Sequence, residues 1–116
     1  MAAERVLVAC LCAAWCGSCR DYRPLFDQLA AQFDGQADFV WVDVEDEADR
    51  LGDLDVENFP TLMIALGDAL RFVGPVAPQL GTALRLVRSA LDAGAAAIEA
   101  PSGTPADLPA RIRALA

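Results

Sequence analysis

Arg5-Val6-Leu7-Val8-Ala9-Cys10-Leu11-Cys12-Ala13-Ala14-Trp15-Cys16-Gly17-Ser18-Cys19 carries a continuous apolar, partly β-branched run directly into two cysteines spaced C-x-x-C. Arg5 to Leu11 has the length of a strand and the uninterrupted apolar character of one covered on both faces. Beyond Gly17, residues Tyr22, Leu25, Phe26, Leu29, Ala30 and Phe33 recur at the i, i+3, i+4, i+7 spacing of an amphipathic helix, which Gly35 ends. The cysteines therefore stand where a strand hands over to a helix. The unpaired N–H groups and the macrodipole of a helix start favour an anion, so Cys16 is the natural attacking thiolate. Cys19, one turn further on, sits deeper and stays a thiol until it is needed to resolve a mixed disulfide.

Working outward, Asp38 to Val44 reads as a second strand and Glu47 to Leu54 as a short acidic helix. Thr61 to Leu66 and Ala69 to Val73 are strand-like runs separated by Gly67-Asp68, a pair suited to a two-residue hairpin with positive φ at the glycine. From Pro78 onward, Leu80, Leu84, Val87 and Leu91 share a helical stripe that ends near Gly94. The core pattern is βαβαββα. Residues 95 to 105 have the composition of a flexible linker, with Pro101, Gly103 and Pro105 among small residues. Asp107 is placed to cap a last short helix in which Leu108, Ile112 and Leu115 share a face and Pro109 lies in the first turn. The expected organisation is one domain over residues 1–94, followed by a linker and a short C-terminal helix over 95–116.

The chain has 116 residues, of which 55% are hydrophobic and 22% charged, a balance that excludes a wholly disordered chain. Its formal charge of -8 would repel nucleic acid. There is no histidine, which removes the commonest near-neutral base and metal ligand and leaves thiols, carboxylates and backbone dipoles to carry any chemistry. No apolar run reaches the roughly 18 residues needed to span a bilayer, so no membrane association is expected. Leu7-Val8-Ala9-Cys10 imitates the site that precedes a lipid-modified cysteine, but the apolar stretch before it falls well short of the roughly 7 to 15 residues of a signal. A cytoplasmic location follows, where paired cysteines mean catalysis or metal more often than a structural staple.

Cys10 and Cys12 raise the cysteine count to four, in the arrangement C-x-C-x3-C-x-x-C. A closed zinc site normally assembles from loop-borne knuckles, whereas Cys10 and Cys12 lie in an apolar strand and read as small buried hydrophobes, so no metal is expected. Side chains at i and i+2 of a strand point the same way, but their Cα atoms are about 7 Å apart, too far for easy bridging. Cys10 and Cys12 are accordingly expected to be free thiols.

Taken together, these blocks resemble the thioredoxin family over Arg5 to about Gly94. Trp15-Cys16-Gly17-Ser18-Cys19 is similar to that family's active-site sequence, with Ser18 where proline is usual, and Pro24 falls where the family's helix-kinking proline does. Phe59-Pro60-Thr61 resembles its cis-proline loop, and Phe72-Val73-Gly74 its last strand with the glycine that keeps the substrate groove open. The resemblance implies an α/β thioredoxin-like fold: a minimal βαβαββα unit with a four-stranded mixed sheet flanked by helices, plus a C-terminal extension. It implies thiol-disulfide exchange with Cys16 as nucleophile and Cys19 as resolving thiol. Trp15, Gly17, Ser18, Phe59, Pro60, Thr61 and Gly74 would meet the substrate, whose chain would pair with the loop as an added strand. Disulfide-containing client proteins, a flavoprotein reductase as electron donor, no cofactor, a monomeric state and a reducing direction follow as expectations.

Four departures from the family stand out. The resemblance begins at the central strand, so four strands are expected. The hairpin is two residues short. Cys10 occupies the position of a buried aspartate that serves the resolving thiol, and Trp41 that of its lysine partner. Cys12 replaces an aromatic residue behind the active site. These changes bear on the rate and the potential and leave the exchange chemistry itself intact; the alternative readings are a non-catalytic binding module that uses the Phe59-Pro60 groove and the C-terminal segment, and a thiolate metal protein.

Overall fold

A computed structural model describes residues 5–52, 54, 56, 58–77, 79–91, 103–105 and 107–115 of the chain. The expected linker and Pro78 fall largely or wholly outside these residues. Strands β1 (Val6–Cys12), β2 (Ala37–Asp43), β3 (Thr61–Leu66) and β4 (Ala69–Pro75) form one sheet in the order β2-β1-β3-β4. Helices α1 (Gly17–Gln32), α2 (Ala48–Leu51), α3 (Leu80–Leu91) and α4 (Leu108–Arg113) complete the chain order.

The central strand explains the apolar run. β1 pairs parallel with β2 and antiparallel with β3, and all seven of its residues are buried. Because successive side chains alternate faces, Val6, Val8, Cys10 and Cys12 enter one core with Cys19, Tyr22, Phe26 and Leu29 of α1 and Ala83, Val87 and Ala90 of α3. Leu7, Ala9 and Leu11 enter a second core on the opposite face.

That second core is closed by the C-terminal helix. Leu108 and Ile112 are fully buried against Leu7, Leu11 and Met63 in the same cluster. Polar groups fasten the last turn of the helix: Arg113 donates to the Gly67 carbonyl at 2.7 Å and to that of Arg5 at 3.0 Å, while Arg111 Nη1 donates to the Arg50 carbonyl at 3.3 Å. Asp107 occupies the N-cap position but makes no side-chain cap; its carboxylate pairs with Arg111 at 2.8 Å instead.

The Gly67-Asp68 hairpin forms as read, with Gly67 at φ 58°. Register in β3–β4 shifts between Ile64 and Ala65, where Ile64 pairs with Phe72 and Ala65 with Leu70, so that Arg71 is the extra residue of a bulge. The bulge lets Phe72 join the first core and Leu70 the second.

Candidate active site

β1 ends at Cys12, and the chain turns through Ala13 to Trp15 into α1, with the Cys16 N–H donating to the Ala13 carbonyl at 3.0 Å. Cys16 is the N-cap residue of α1, in extended conformation, and its side chain caps no backbone N–H. It is a free thiol of intermediate exposure. Gly17 and Ser18 are exposed in the first turn, and Cys19, the first inward-facing residue of the helix, is 2% exposed. Pro24 lies inside the same helix.

The second block arrives at the start of the neighbouring strand, where Thr61 pairs with Leu11 at the same end of the sheet. Phe59–Pro60 is a cis peptide immediately before β3. Trp15, 67% exposed, meets Phe59 edge-on with ring centroids 5.7 Å apart, so two motifs 44 residues apart in sequence touch. The loop is held from within. Thr61, buried, donates its hydroxyl to the Asn58 carbonyl at 2.6 Å, and the Pro60 carbonyl accepts from Val76 N–H at 3.1 Å. Thr61 thus positions the loop rather than facing outward. Gly74 pairs with Leu62 in the strand next to this loop, and a Cβ there would come within 3.3 Å of the Phe72 ring, so the space beside it is claimed by Phe72.

One expectation fails. Cys12 is joined to Cys19 in a disulfide, with Cα atoms 5.8 Å apart. Strand spacing disfavours a Cys10–Cys12 bond only, whereas the partner of Cys12 comes from the first turn of α1. Both residues face the α1–α3 core, Cys12 as the last inward position of β1 and Cys19 as the first of the helix. Cys10 remains a free, buried thiol with its Sγ 3.6 Å from that of Cys12. Because Cys12 carries no hydrogen in the disulfide, Cys10 is the donor of that contact. Burial pushes the Cys10 thiol up to about 12, against a smaller opposing effect from the Arg23 charge. The guanidinium of Arg23 lies over the Trp41 ring, 4.7 Å from its centroid.

A family model described as Thioredoxin matches residues 1–79. The chain belongs to the thioredoxin family. It is similar to the thioredoxins of Staphylococcus haemolyticus (strain JCSC1435) and Staphylococcus aureus (strain Mu50 / ATCC 700699), each 35% identical over 52 residues, which are 45% of this chain and 50% of the relative. The chain thus spans about half the length of the curated relatives it matches. Among solved structures, one described as a malarial protein superposes with a TM-score of 0.67 at 17% identity, covering 76% of this chain and 99% of that one. The germline-specific thioredoxin Deadhead of Drosophila melanogaster gives a TM-score of 0.61 at 18% identity, covering 72% and 79%. The thioredoxin fold is thereby supported both by the family model and by structural likeness. No helix among the described residues is long and apolar enough to cross a membrane.

Cys10 is a buried thiol and Trp41 an indole whose ring meets that of Phe26 at 5.7 Å. Tyr22, whose hydroxyl burial pushes up to about 12, lines the same core. The missed residue is Cys12. Its signal was present in the alternation of β1, which puts Cys10 and Cys12 on one face, and in the position of Cys19 on the inward stripe of α1.

Proposed function

We propose that this chain is a protein dithiol-disulfide oxidoreductase in which Cys16 attacks and Cys19 resolves. The observation that carries the reading is the placement of Cys16: a free, partly exposed thiol at the N-cap of a 16-residue helix, beside the cis-proline loop that Trp15 contacts through Phe59. The Cys16 thiolate displaces one sulfur of a client disulfide and becomes linked to the other. Cys19, as a thiolate, then attacks Cys16 Sγ, closing a Cys16–Cys19 disulfide and releasing the reduced client.

No hydrogen bond among the described residues engages the Phe59 backbone, which leaves it available to pair with an extended client segment, while Pro60 and Thr61 are already held inside. Trp15, Gly17, Ser18 and Phe59 make the contact surface, and Gly74 borders it. Residues 1–94 carry this chemistry, and the C-terminal helix covers the far side of the sheet. Clients are disulfide-containing proteins, the working direction is reducing, and a flavoprotein reductase resets the pair. The protein acts as a cytoplasmic monomer. The test is dithiothreitol-driven reduction of insulin disulfides at pH 7. Wild type accelerates the reaction and Cys16→Ser does not; a Cys16→Ser variant as active as wild type overturns the reading.

A further inference from the structure

Cys12 has no part in the exchange just described, yet it is the residue that holds Cys19 in the structure. Cys19 lies one helical turn from Cys16 and faces Cys12 across the end of the sheet, so its sulfur has two partners within the fold. The two possible disulfides differ in exposure. A Cys16–Cys19 bond has one end at the partly exposed N-cap, whereas Cys12 and Cys19 are 1% and 2% exposed.

We propose that Cys12 is a second resolving thiol, which draws the disulfide inward from Cys16–Cys19 to Cys12–Cys19 and returns Cys16 as a free thiolate. The inference rests on Cys16 and Cys19 performing the exchange proposed above. In the step, Cys12 gives up its proton to solvent and its thiolate attacks Cys19 Sγ. The Cys12–Cys19 bond forms, the Cys16–Cys19 bond breaks, and the electron pair leaves on Cys16 Sγ. Two sulfurs remain oxidised throughout, so the transfer needs no oxidant or reductant.

Cys10 is the positioning residue for this transfer. Its S–H donates to Cys12 across 3.6 Å, and the same donor supports the Cys12 thiolate that leaves when the step runs backward. The reverse step matters, because external dithiols reach the disulfide only once it has returned to the exposed Cys16. The inward form therefore stores the oxidation in a shielded bond while Cys16 is free to capture a second disulfide molecule. With Cys19 occupied, that second adduct is not resolved.

The test adds excess glutathione disulfide to the fully reduced full-length protein at pH 7.5 and reads intact mass, with glutathione and alkylated cysteines located by sequencing. Wild type is expected to consume two equivalents: it gains the Cys12–Cys19 disulfide and retains one glutathione on Cys16. Cys12→Ala is expected to consume one equivalent and finish as the Cys16–Cys19 disulfide with none retained. In Cys16→Ser the buried pair closes about tenfold or more slowly, because the exposed entry point is lost. A wild type that stops at Cys16–Cys19 with Cys12 open to alkylation after denaturation overturns the relay and leaves the proposed exchange intact. So does closure of Cys12–Cys19 at an equal rate in Cys16→Ser. No reaction at Cys16 in wild type overturns both. Should Cys12→Ala fail to fold, the sequenced wild-type product decides alone.

Discussion

Truncating Ile112 to alanine tests whether the C-terminal helix is part of the folded unit. Ile112 is fully buried between the sheet and α4, in a core with Leu7, Leu11, Met63 and Leu108. Removing a buried isoleucine side chain beyond Cβ forfeits its transfer free energy and leaves a cavity, which together cost about 2 to 5 kcal/mol. A domain of this size has roughly 5 to 15 kcal/mol in total, so a cost near 3 kcal/mol consumes a large share of it. At about 4 °C per kcal/mol the melting temperature should fall by roughly 10 °C. Leu108→Ala should behave alike, and the double variant should cost less than the sum, because positions i and i+4 share one cavity. Arg113→Ala removes two hydrogen bonds to carbonyls, at 2.7 and 3.0 Å, and should cost about 1 to 2 kcal/mol. The assay is urea and thermal unfolding followed by far-ultraviolet circular dichroism with all cysteines kept reduced, so that no disulfide contributes. A melting temperature within about 2 °C of wild type for Ile112→Ala would refute the packing argument, since no fully buried isoleucine in a closed core is so cheaply removed.

The Cys10 thiol supplies a pH dependence with a definite sign. Its folded value lies near 12 against an ordinary 9.0, so between these limits the folded state keeps a proton that the unfolded chain has lost. Stability from this group is complete well below pH 9 and is lost as pH rises toward 12; from pH 9 to 11 wild type should lose roughly 2 kcal/mol more than Cys10→Ala. Parallel denaturation curves for the two proteins over that range would contradict the burial of the thiol. Trp15→Ala should lower kcat/KM for a protein client about fivefold, through loss of an exposed aromatic contact of about 1 kcal/mol, with the melting temperature unchanged. Equal loss of stability and activity would instead place Trp15 in the core.

The parts of the fold that were readable from sequence are those governed by short-range pattern. β1 could be read because a strand buried on both faces has no polar residue to interrupt it, and all seven residues prove buried. The hairpin could be read because Gly67 takes the positive φ that its turn requires. The family resemblance assigns Trp15 and Phe59 to one substrate surface, but their contact is legible in neither segment alone. What escaped was long-range. The Cys12–Cys19 pairing depends on how the end of β1 and the first turn of α1 converge across a turn, which no pairwise spacing along the strand reveals. The bulge at Arg71 also escaped, because Ala69 to Val73 reads as a plain strand until its register against β3 is known. Asp107 reads as a cap from its position alone, but Arg111, one turn along, offers its carboxylate a charged partner.

Covalent capture tests the central claim, attack by Cys16 followed by resolution by Cys19, most directly. A client protein with one accessible disulfide is mixed with Cys19→Ser and, separately, with Cys16→Ser, and the products are separated without reductant. Cys19→Ser should accumulate the client on Cys16 as a stable mixed disulfide, because attack proceeds and resolution is lost. Cys16→Ser should accumulate none. Capture by Cys16→Ser equal to that by Cys19→Ser would contradict the account.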